Sequence, residues 1–167
     1  MAGDTNPQLS KYIDDLLDTI PAAPQMYCEN QAVNAIVSHY ATLCQEQGVE
    51  TDIRLSVPTQ TQQITDAELC VIFGNLLENA LEACDRMGEG RKFLHLGSRI
   101  HMGLLTIVMD NSFDGQVRQE NGKFRSSKRD DFGVGLTSIQ AVARKRGGDA
   151  RFETDGNVFH SSVYVQI

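Results

Sequence analysis

Two side-chain amides, four residues apart, are the first residues whose chemistry stands out. Asn75 and Asn79 lie in an apolar stretch that is predicted to form a helix over about residues 65–87. At about 100° per residue they share one stripe of that helix with Glu82 and Arg86. A buried amide without a partner costs about 1–3 kcal/mol, and amide oxygens are suitable ligands for a hard cation. The stripe is therefore a candidate Mg²⁺ site; the alternative is that it faces water.

A carboxylate at the end of an apolar strand is the second candidate. Asp110 directly follows the apolar segment 104–109. In that place a carboxylate can accept a hydrogen bond from the exocyclic amine of a purine. It can equally hold a turn through a hydrogen bond to its own backbone. The sequence alone leaves both roles open.

Two further features point to an anionic ligand. The polar segment 112–132, which we call the lid, carries five basic and three acidic residues across 117–131, in a chain with a net charge of −7. Gly133 and Gly135 follow it and open a predicted helix. Glycines at a helix start let backbone N–H groups approach phosphate oxygens, and the helix dipole adds to the attraction. The alternative for the lid is a solvated loop without a ligand.

The elements that must position these residues follow from hydrophobic periodicity and turn residues. Helices are predicted at about 8–20, 30–47, 65–87 and 134–146, and strands at about 52–57, 92–101, 103–110, 150–154 and 157–166. Thr65 and Glu68 form a capping box at the start of the third helix. Strands joined by hairpins, with helices between them, predict an α+β fold: a two-layer sandwich with helices on one face of a mixed, mainly antiparallel sheet.

Composition excludes several classes of function. The chain has 167 residues, of which 41% are hydrophobic and 22% charged, as expected for one globular domain. Its net charge of −7 disfavours nucleic acid and anionic membranes as partners. The four cysteines form no C-x-x-C pair, so a zinc cage is not expected, and we predict reduced cysteines in a cytoplasmic environment. We expect neither a membrane span nor a secretion signal in this chain.

The order of these features resembles a known superfamily. An amide-bearing helix, a strand-end Asp, a basic lid and a G-x-G helix start follow one another as in the GHKL ATP-binding domains of gyrase, heat-shock ATPase chaperones and histidine kinases, over about residues 30–167. The segments 75–80, 110–115 and 133–136 resemble the N, G1 and G2 boxes of histidine kinases. The variant at 111–115, with Ser-Ser-Lys-Arg at 126–129, is most similar to the Agr-type, peptide-sensing kinases that signal to LytTR response regulators.

The resemblance implies a Bergerat-type fold, ATP and Mg²⁺ as ligands, and a role for each matching residue. Asn79 would coordinate Mg²⁺, Asn75 would lie near the γ-phosphate, and Asp110 would accept from the adenine amine. Lys128 would contact an anionic oxygen and act with Asn75 in catalysis. The remaining nucleotide contacts that it implies are Ser112, Arg129, Gly133, Gly135, Leu136 and Thr137.

The sequence departs from the superfamily pattern at several positions. Ser112 and Asp114 stand where the D-x-G-x-G pattern has glycines, so the loop beside adenine must differ. Glu82 stands where the N box has a basic residue, which leaves Lys128 or Arg129 as the expected phosphate contact. Gyrase-like ATPases have a glutamate base where this chain has an amide. Because an amide cannot accept a proton, we expect phosphoryl transfer to a protein nucleophile and not rapid ATP hydrolysis.

The expected nucleophile is a histidine on a dimerisation hairpin upstream of this chain. His39 lacks the acidic neighbour typical of a phosphoacceptor. We therefore interpret residues 1–24 as the tail of a truncated dimerisation helix plus a linker, and residues 25–167 as the catalytic domain; the segment 8–20 could equally pack on the domain. The expected parent is a membrane-bound homodimer with this domain in the cytoplasm, acting indirectly on a response regulator.

Two other functions remain open from the sequence. An anti-sigma serine kinase shares the fold. A degenerate module that docks a partner without binding nucleotide is also compatible with the altered G1 loop.

Overall fold

The computed structural model describes residues 11, 15, 25–116, 118–120, 123–125 and 133–167, with backbone only at 118–120 and 123–125. The elements are α1 (Gln31–Glu46), β1 (Glu50–Arg54), α2 (Asp66–Arg86), β2 (Phe93–His101), β3 (Leu104–Ser112), β4 (Arg118–Glu120), β5 (Lys123–Arg125), α3 (Val134–Lys145), β6 (Asp149–Asp155) and β7 (Val158–Gln166). The helix predicted at 8–20 lies outside the described residues, except for residues 11 and 15.

The sheet has five strands in the order β1-β2-β3-β7-β6. β1 and β2 are parallel, and the other three pairings are antiparallel. β4 and β5 form a separate two-stranded hairpin. The predicted α+β sandwich with a mixed, mainly antiparallel sheet is therefore confirmed.

One predicted strand is displaced along the chain. The alternation at 52–57 predicted a strand there, whereas β1 covers Glu50–Arg54. The ladder with β2 ends at Arg54 and Gly97. Beyond that point the Ser98 hydroxyl accepts from the Ser56 N–H at 2.9 Å and donates to the Ser56 carbonyl at 3.1 Å. The Ser98 hydroxyl thus takes the place of the backbone hydrogen bonds between β1 and β2, and the chain leaves the sheet after Arg54.

Helix α2 is the centre of the core. Nine of its 21 residues are buried: Leu69, Ile72, Phe73, Leu76, Leu77, Ala80, Leu81, Ala83 and Cys84. It packs against α1, α3 and β3, so most of its circumference must be apolar. The predicted capping box is present, with the Thr65 hydroxyl accepting from the Glu68 N–H and the Glu68 carboxylate accepting from the Thr65 N–H.

Two polar contacts fix the other helices on α2. Asn30 caps α1 by accepting from the Val33 N–H at 3.0 Å, and its amide donates to Asp66 at 2.8 Å. The Glu68 carboxylate accepts from the Nε and Nη2 atoms of Arg146, each at 2.9 Å, and lies 2.9 Å from the Lys145 ammonium. The beginning of α2 is thereby tied to the beginning of α1 and to the end of α3.

The five-stranded sheet has one covered and one open face. On β3, Leu105, Ile107 and Met109 are buried in the core with α2, whereas Leu104 and Val108 are exposed. Side chains alternate between the faces of a strand, so the odd-numbered residues of β3 face the helices. From Leu104 to Asp110 the even-numbered residues face the open side, whereas Ser112 at the strand end is buried beside Cys84.

The four cysteines are free. Burial raises the pKa of the Cys44 thiol to about 11, so this thiol is protonated at neutral pH and behaves as an apolar core group. Among the described residues, no helix is long and apolar enough to cross a bilayer.

We predict that Glu68→Gln destabilises the domain by about 1–3 kcal/mol, because it weakens charge-assisted bonds to a largely buried carboxylate whose side chain is 13% exposed. The Arg146 guanidinium, the Thr65 N–H and the Lys145 ammonium hold the pKa of Glu68 far below its usual range. The contribution of Glu68 to stability is complete above the unfolded pKa of about 4.3 and is lost as pH falls towards the folded pKa.

The matched variant Glu50→Gln removes an exposed ion pair with Arg91 and should cost little stability. Urea unfolding at pH 7 and pH 3 measures both; equal destabilisation by the two variants would contradict the role of Glu68.

Candidate functional site

The two amides predicted to bind a ligand face the start of α3. A Cβ atom placed on Gly135 would lie 2.9 Å from the Asn75 Oδ1 atom and 3.4 Å from the Asn79 Nδ2 atom. Real Cβ contacts are almost never as short as 2.9 Å, so a side chain at position 135 would have to displace the Asn75 side chain. The first turn of α3 and the amides of α2 therefore meet at one place.

The amide stripe does not behave as one surface. Asn75 and Asn79 are half-buried, whereas Arg86 is exposed. The Asn75 Nδ2 atom donates to the Val71 carbonyl at 2.7 Å, and its oxygen is the atom nearest to Gly135. These two amides are thus partly covered, whereas Arg86 of the same stripe is in water.

The first turn of α3 lacks the side-chain cap that most helices have. Gly133 is the N-cap residue and makes no side-chain hydrogen bond, and no acidic residue lies in the first turn. The backbone N–H groups of this turn carry partial positive charge. Leu136 is half-buried against the core, whereas Thr137 is exposed. The turn can therefore present N–H donors to an anion, with Leu136 acting as a packing residue.

Asp110 lies on the open face of the sheet. Its carboxylate is 2.6 Å from the His160 Nδ1 atom, and the two side chains are 47% and 41% exposed. His95 and His160 are its register partners on β2 and β7. The structure thus does not bring Asp110 to the helix-facing side where Asn75, Asn79 and Gly135 meet; its predicted role at adenine stays a prediction that this position does not favour.

The two residues after Asp110 are both buried, Asn111 and Ser112 at 2% exposure. Ser112 Oγ accepts from the Phe93 N–H at 3.0 Å and lies 3.5 Å from Cys84 Sγ. This hydroxyl is used within the fold, so its predicted ligand contact stays a prediction. Asn111 falls on the helix-facing side of β3, and its Nδ2 atom donates to the Ser112 carbonyl at 3.0 Å.

One of the two roles considered for Asp110 was to hold a turn by a hydrogen bond to the backbone. In the structure the carboxylate of Asp114 does this. Asp114 Oδ1 accepts from the Gln116 N–H at 2.9 Å, and Gly115 has a φ of +77°. Asp114 therefore closes the loop that follows β3 where the superfamily pattern has a glycine.

Several predicted residues lie outside the described part of the chain. They include Lys128 and Arg129, and most of the lid beyond residue 116. Their assigned roles stay predictions. Within the described residues, no group of three or more His, Cys, Asp or Glu side chains is arranged to hold a metal ion.

The Mg²⁺ role predicted for Asn79 depends on amide chemistry. Asn79 supplies one amide oxygen, and Mg²⁺ in proteins is bound by few protein oxygens while water and phosphate oxygens complete its shell. The donor set at this place therefore fits Mg²⁺ held jointly with a phosphate ligand.

The histidines lie where the sequence predicted them. His95 and His101 are on β2 and His160 is on β7. His39 is exposed on α1, edge-to-face with Tyr40 at a centroid distance of 5.2 Å.

Comparison with known proteins agrees with this geometry. Residues 64–166 match the family model of the GHKL domain. The catalytic domain of the histidine kinase ThkA, in a nucleotide-free form, is 14% identical with a TM-score of 0.63, over 82% of this chain and 92% of that one. The Acinetobacter baumannii histidine kinase AdeS is 12% identical with a TM-score of 0.59, over 95% and 78%.

A third solved structure belongs to a longer protein. The blue-light activated histidine kinase EL346 of Erythrobacter litoralis is 10% identical with a TM-score of 0.56, over 76% of this chain and 39% of that one. No curated protein matches this sequence. Likeness at these identities is a likeness of fold, whereas the family match covers more than half of the chain. This chain belongs to the GHKL family and has the fold of histidine kinase catalytic domains.

Proposed function

We propose that this domain binds Mg²⁺-ATP and donates its γ-phosphate to a histidine of another segment. The observation that carries the proposal is the meeting of Gly135 with Asn75 and Asn79. It brings two amide side chains and an uncapped helix N-terminus to one place. That is the combination of a hard-cation ligand and an anion site that a magnesium nucleotide requires.

Each side chain has a definite task in this proposal. Asn79 offers its oxygen to Mg²⁺, which supplies charge neutralisation on the phosphates when bound. The first-turn N–H groups of α3 approach phosphate oxygens, because Gly133 and Gly135 carry no side chain in the way. Lys128 and Arg129 are proposed to contact the same phosphates from the lid.

The chemistry of Asn75 favours transfer over hydrolysis. Its amide nitrogen is bonded to the Val71 carbonyl and its oxygen faces Gly135, and an amide has no basic atom at neutral pH. A water molecule at this place would therefore lack a base on Asn75. A histidine from a separate element brings its own nucleophilic nitrogen and needs only positioning.

The wider setting is also proposed. The acceptor lies on a dimerisation hairpin upstream, in an Agr-type kinase that is a membrane-bound homodimer with this domain in the cytoplasm and a response regulator downstream. The competing proposal is a partner-docking module without nucleotide. It is supported by the loop after β3, which Asp114 closes with its own hydrogen bond.

We expect Gly135→Ala to weaken Mg²⁺-ATP binding at least tenfold. The added Cβ would lie 2.9 Å from the Asn75 Oδ1 atom, so the Asn75 side chain would have to leave its place in the site. The matched control is Gly88→Ala, where a Cβ meets nothing within 4 Å. Titration with a fluorescent ATP analogue measures both variants, and an unchanged affinity of Gly135→Ala would remove this contact from the site.

Asn79→Ala should weaken ATP binding about tenfold in Mg²⁺ and have a much smaller effect in EDTA, because the lost oxygen acts through the cation. Glu78→Ala, at an exposed neighbouring position of the same helix, is the control. Calorimetry with and without Mg²⁺ separates the two effects. Failure of the wild-type chain to bind ATP in Mg²⁺ would favour the docking module.

The isolated chain should bind ATP without labelling itself, because none of its histidines lies in a phosphoacceptor context. Incubation with γ-labelled ATP and a separately expressed dimerisation hairpin of an Agr-type kinase should place label on that hairpin's histidine. Phosphohistidine is recognised by its loss in acid and survival in alkali. Acid-labile label on the isolated chain that disappears in His39→Ala would contradict this expectation and make His39 the acceptor.

A further inference from the structure

The open face of the sheet carries an exposed apolar strip. Leu104 and Val108 on β3 are 37% and 49% exposed, and Tyr164 on β7 is 42% exposed. Tyr164 is the register partner of Thr106, which lies between the other two on the same face of β3. The three apolar side chains therefore form one continuous surface, which we call the open-face strip. Scattered apolar residues are ordinary on a protein surface, whereas contiguous ones are typical of a contact site.

Two arginines flank the open-face strip, one on each side. Arg99 on β2 is the register partner of Thr106, and Arg151 on β6 pairs in register with Ser162, which is itself the partner of Val108. Both arginines are exposed, and neither makes an ion pair within the described part of the chain. A segment that fits this surface combines an apolar stripe with acidic side chains.

The segment 8–20 of this chain has that combination. Its sequence places six apolar residues on one stripe of a helix and adds three aspartates against one lysine. Lys11 and Asp15, the two residues of the segment that the structure describes, are helical and exposed, as expected for the polar side of the stripe. A lone helix of about 13 residues is only marginally stable in water, so the apolar stripe needs a surface to pack on.

The chain enters the domain at the end of the sheet where the open-face strip begins. The Asn30 N–H donates to the Val57 carbonyl at 3.1 Å, and the residue before Val57 is bonded to the hydroxyl of Ser98 on β2. The start of α1 therefore lies beside the last part of β2, which turns into β3 just before Leu104. The linker 21–24 spans at most about 14 Å, so the segment that precedes it stays close to this end of the sheet.

We propose that segment 8–20 docks as a helix on the open-face strip of its own chain, with its aspartates towards Arg99 and Arg151. Apolar contact and opposite charge act together there, as in other helices that lie on a complementary surface. The contact lies on the face of the sheet opposite to Asn75 and Gly135. It is therefore independent of the proposed nucleotide binding and goes beyond it. Docked in this way, the segment sets the orientation of the domain relative to any segment that precedes it.

Amide hydrogen exchange of the full chain, read by mass spectrometry over residues 8–20, tests the docking. These amides should be protected in the wild type and exchange at least tenfold faster in Val108→Asp, which removes an apolar contact and repels the aspartates. The matched control is Thr42→Asp, at an exposed position of α1, which should leave the exchange unchanged. Equal exchange in the wild type and Val108→Asp would overturn the proposal. Exchange of the wild-type segment at the rate of an unstructured peptide would overturn it as well.

A cysteine pair tests the same contact without weakening it. Leu16→Cys combined with Val108→Cys should form a disulfide within one chain when oxidised with oxidised glutathione, identified by peptide mapping of the monomer. Leu16→Cys combined with Thr42→Cys is the control and should form none. A disulfide between residues 16 and 108 that joins only two different chains would overturn the proposal and indicate docking on a second copy.

The outcome is separable from that of the proposed function. Val108→Asp should bind Mg²⁺-ATP within about twofold of the wild type, because Val108 faces away from the amides of α2. A wild-type chain that protects residues 8–20 but binds no ATP would contradict the proposed function and support the docking.

Discussion

The packing of α3 across α2 is the interaction on which the candidate site depends. It is fixed at both ends. At one end, the absence of a side chain on Gly135 lets the first turn of α3 approach Asn75. At the other end, Glu68 bonds to Arg146 and Lys145. The carboxylate that caps α2 therefore also sets the position of the helix that presents its N-terminus to the ligand, although Glu68 itself takes no part in binding.

The two faces of the sheet impose a second constraint. Its covered face holds the core and the buried Asn111, and its open face carries Asp110 with its histidine neighbours. A strand assigns consecutive residues to opposite faces, so Asp110 and Asn111 lie on opposite sides of the sheet. On the open side, the Asp110 carboxylate has His160 as its partner.

Most of the fold could be predicted because its signals are local. The capping box of Thr65 and Glu68 and the apolar run that follows define α2, and turn glycines and alternation define β2, β3, β6 and β7. The boundary of β1 could not be predicted, because it depends on a hydroxyl of Ser98 from a distant strand. The bond between Glu68 and Arg146 joins residues 78 apart in sequence, and no local pattern indicates it. In the site, only the resemblance assigned Asn75 and Gly135 to one ligand, and the structure brings the two together. The face of Asp110 follows from the alternation of the buried Leu105, Ile107 and Met109, which places it on the open side.

We propose that one magnesium nucleotide lies between the amides of α2 and the first turn of α3. A crystal structure of the chain with Mg²⁺ and a non-hydrolysable ATP analogue tests this most directly. The predicted result is a magnesium ion about 2.1 Å from the Asn79 side-chain oxygen and phosphates at Gly133 and Gly135. A nucleotide bound on the open face beside Asp110, or no nucleotide at all at saturating concentration, would contradict it.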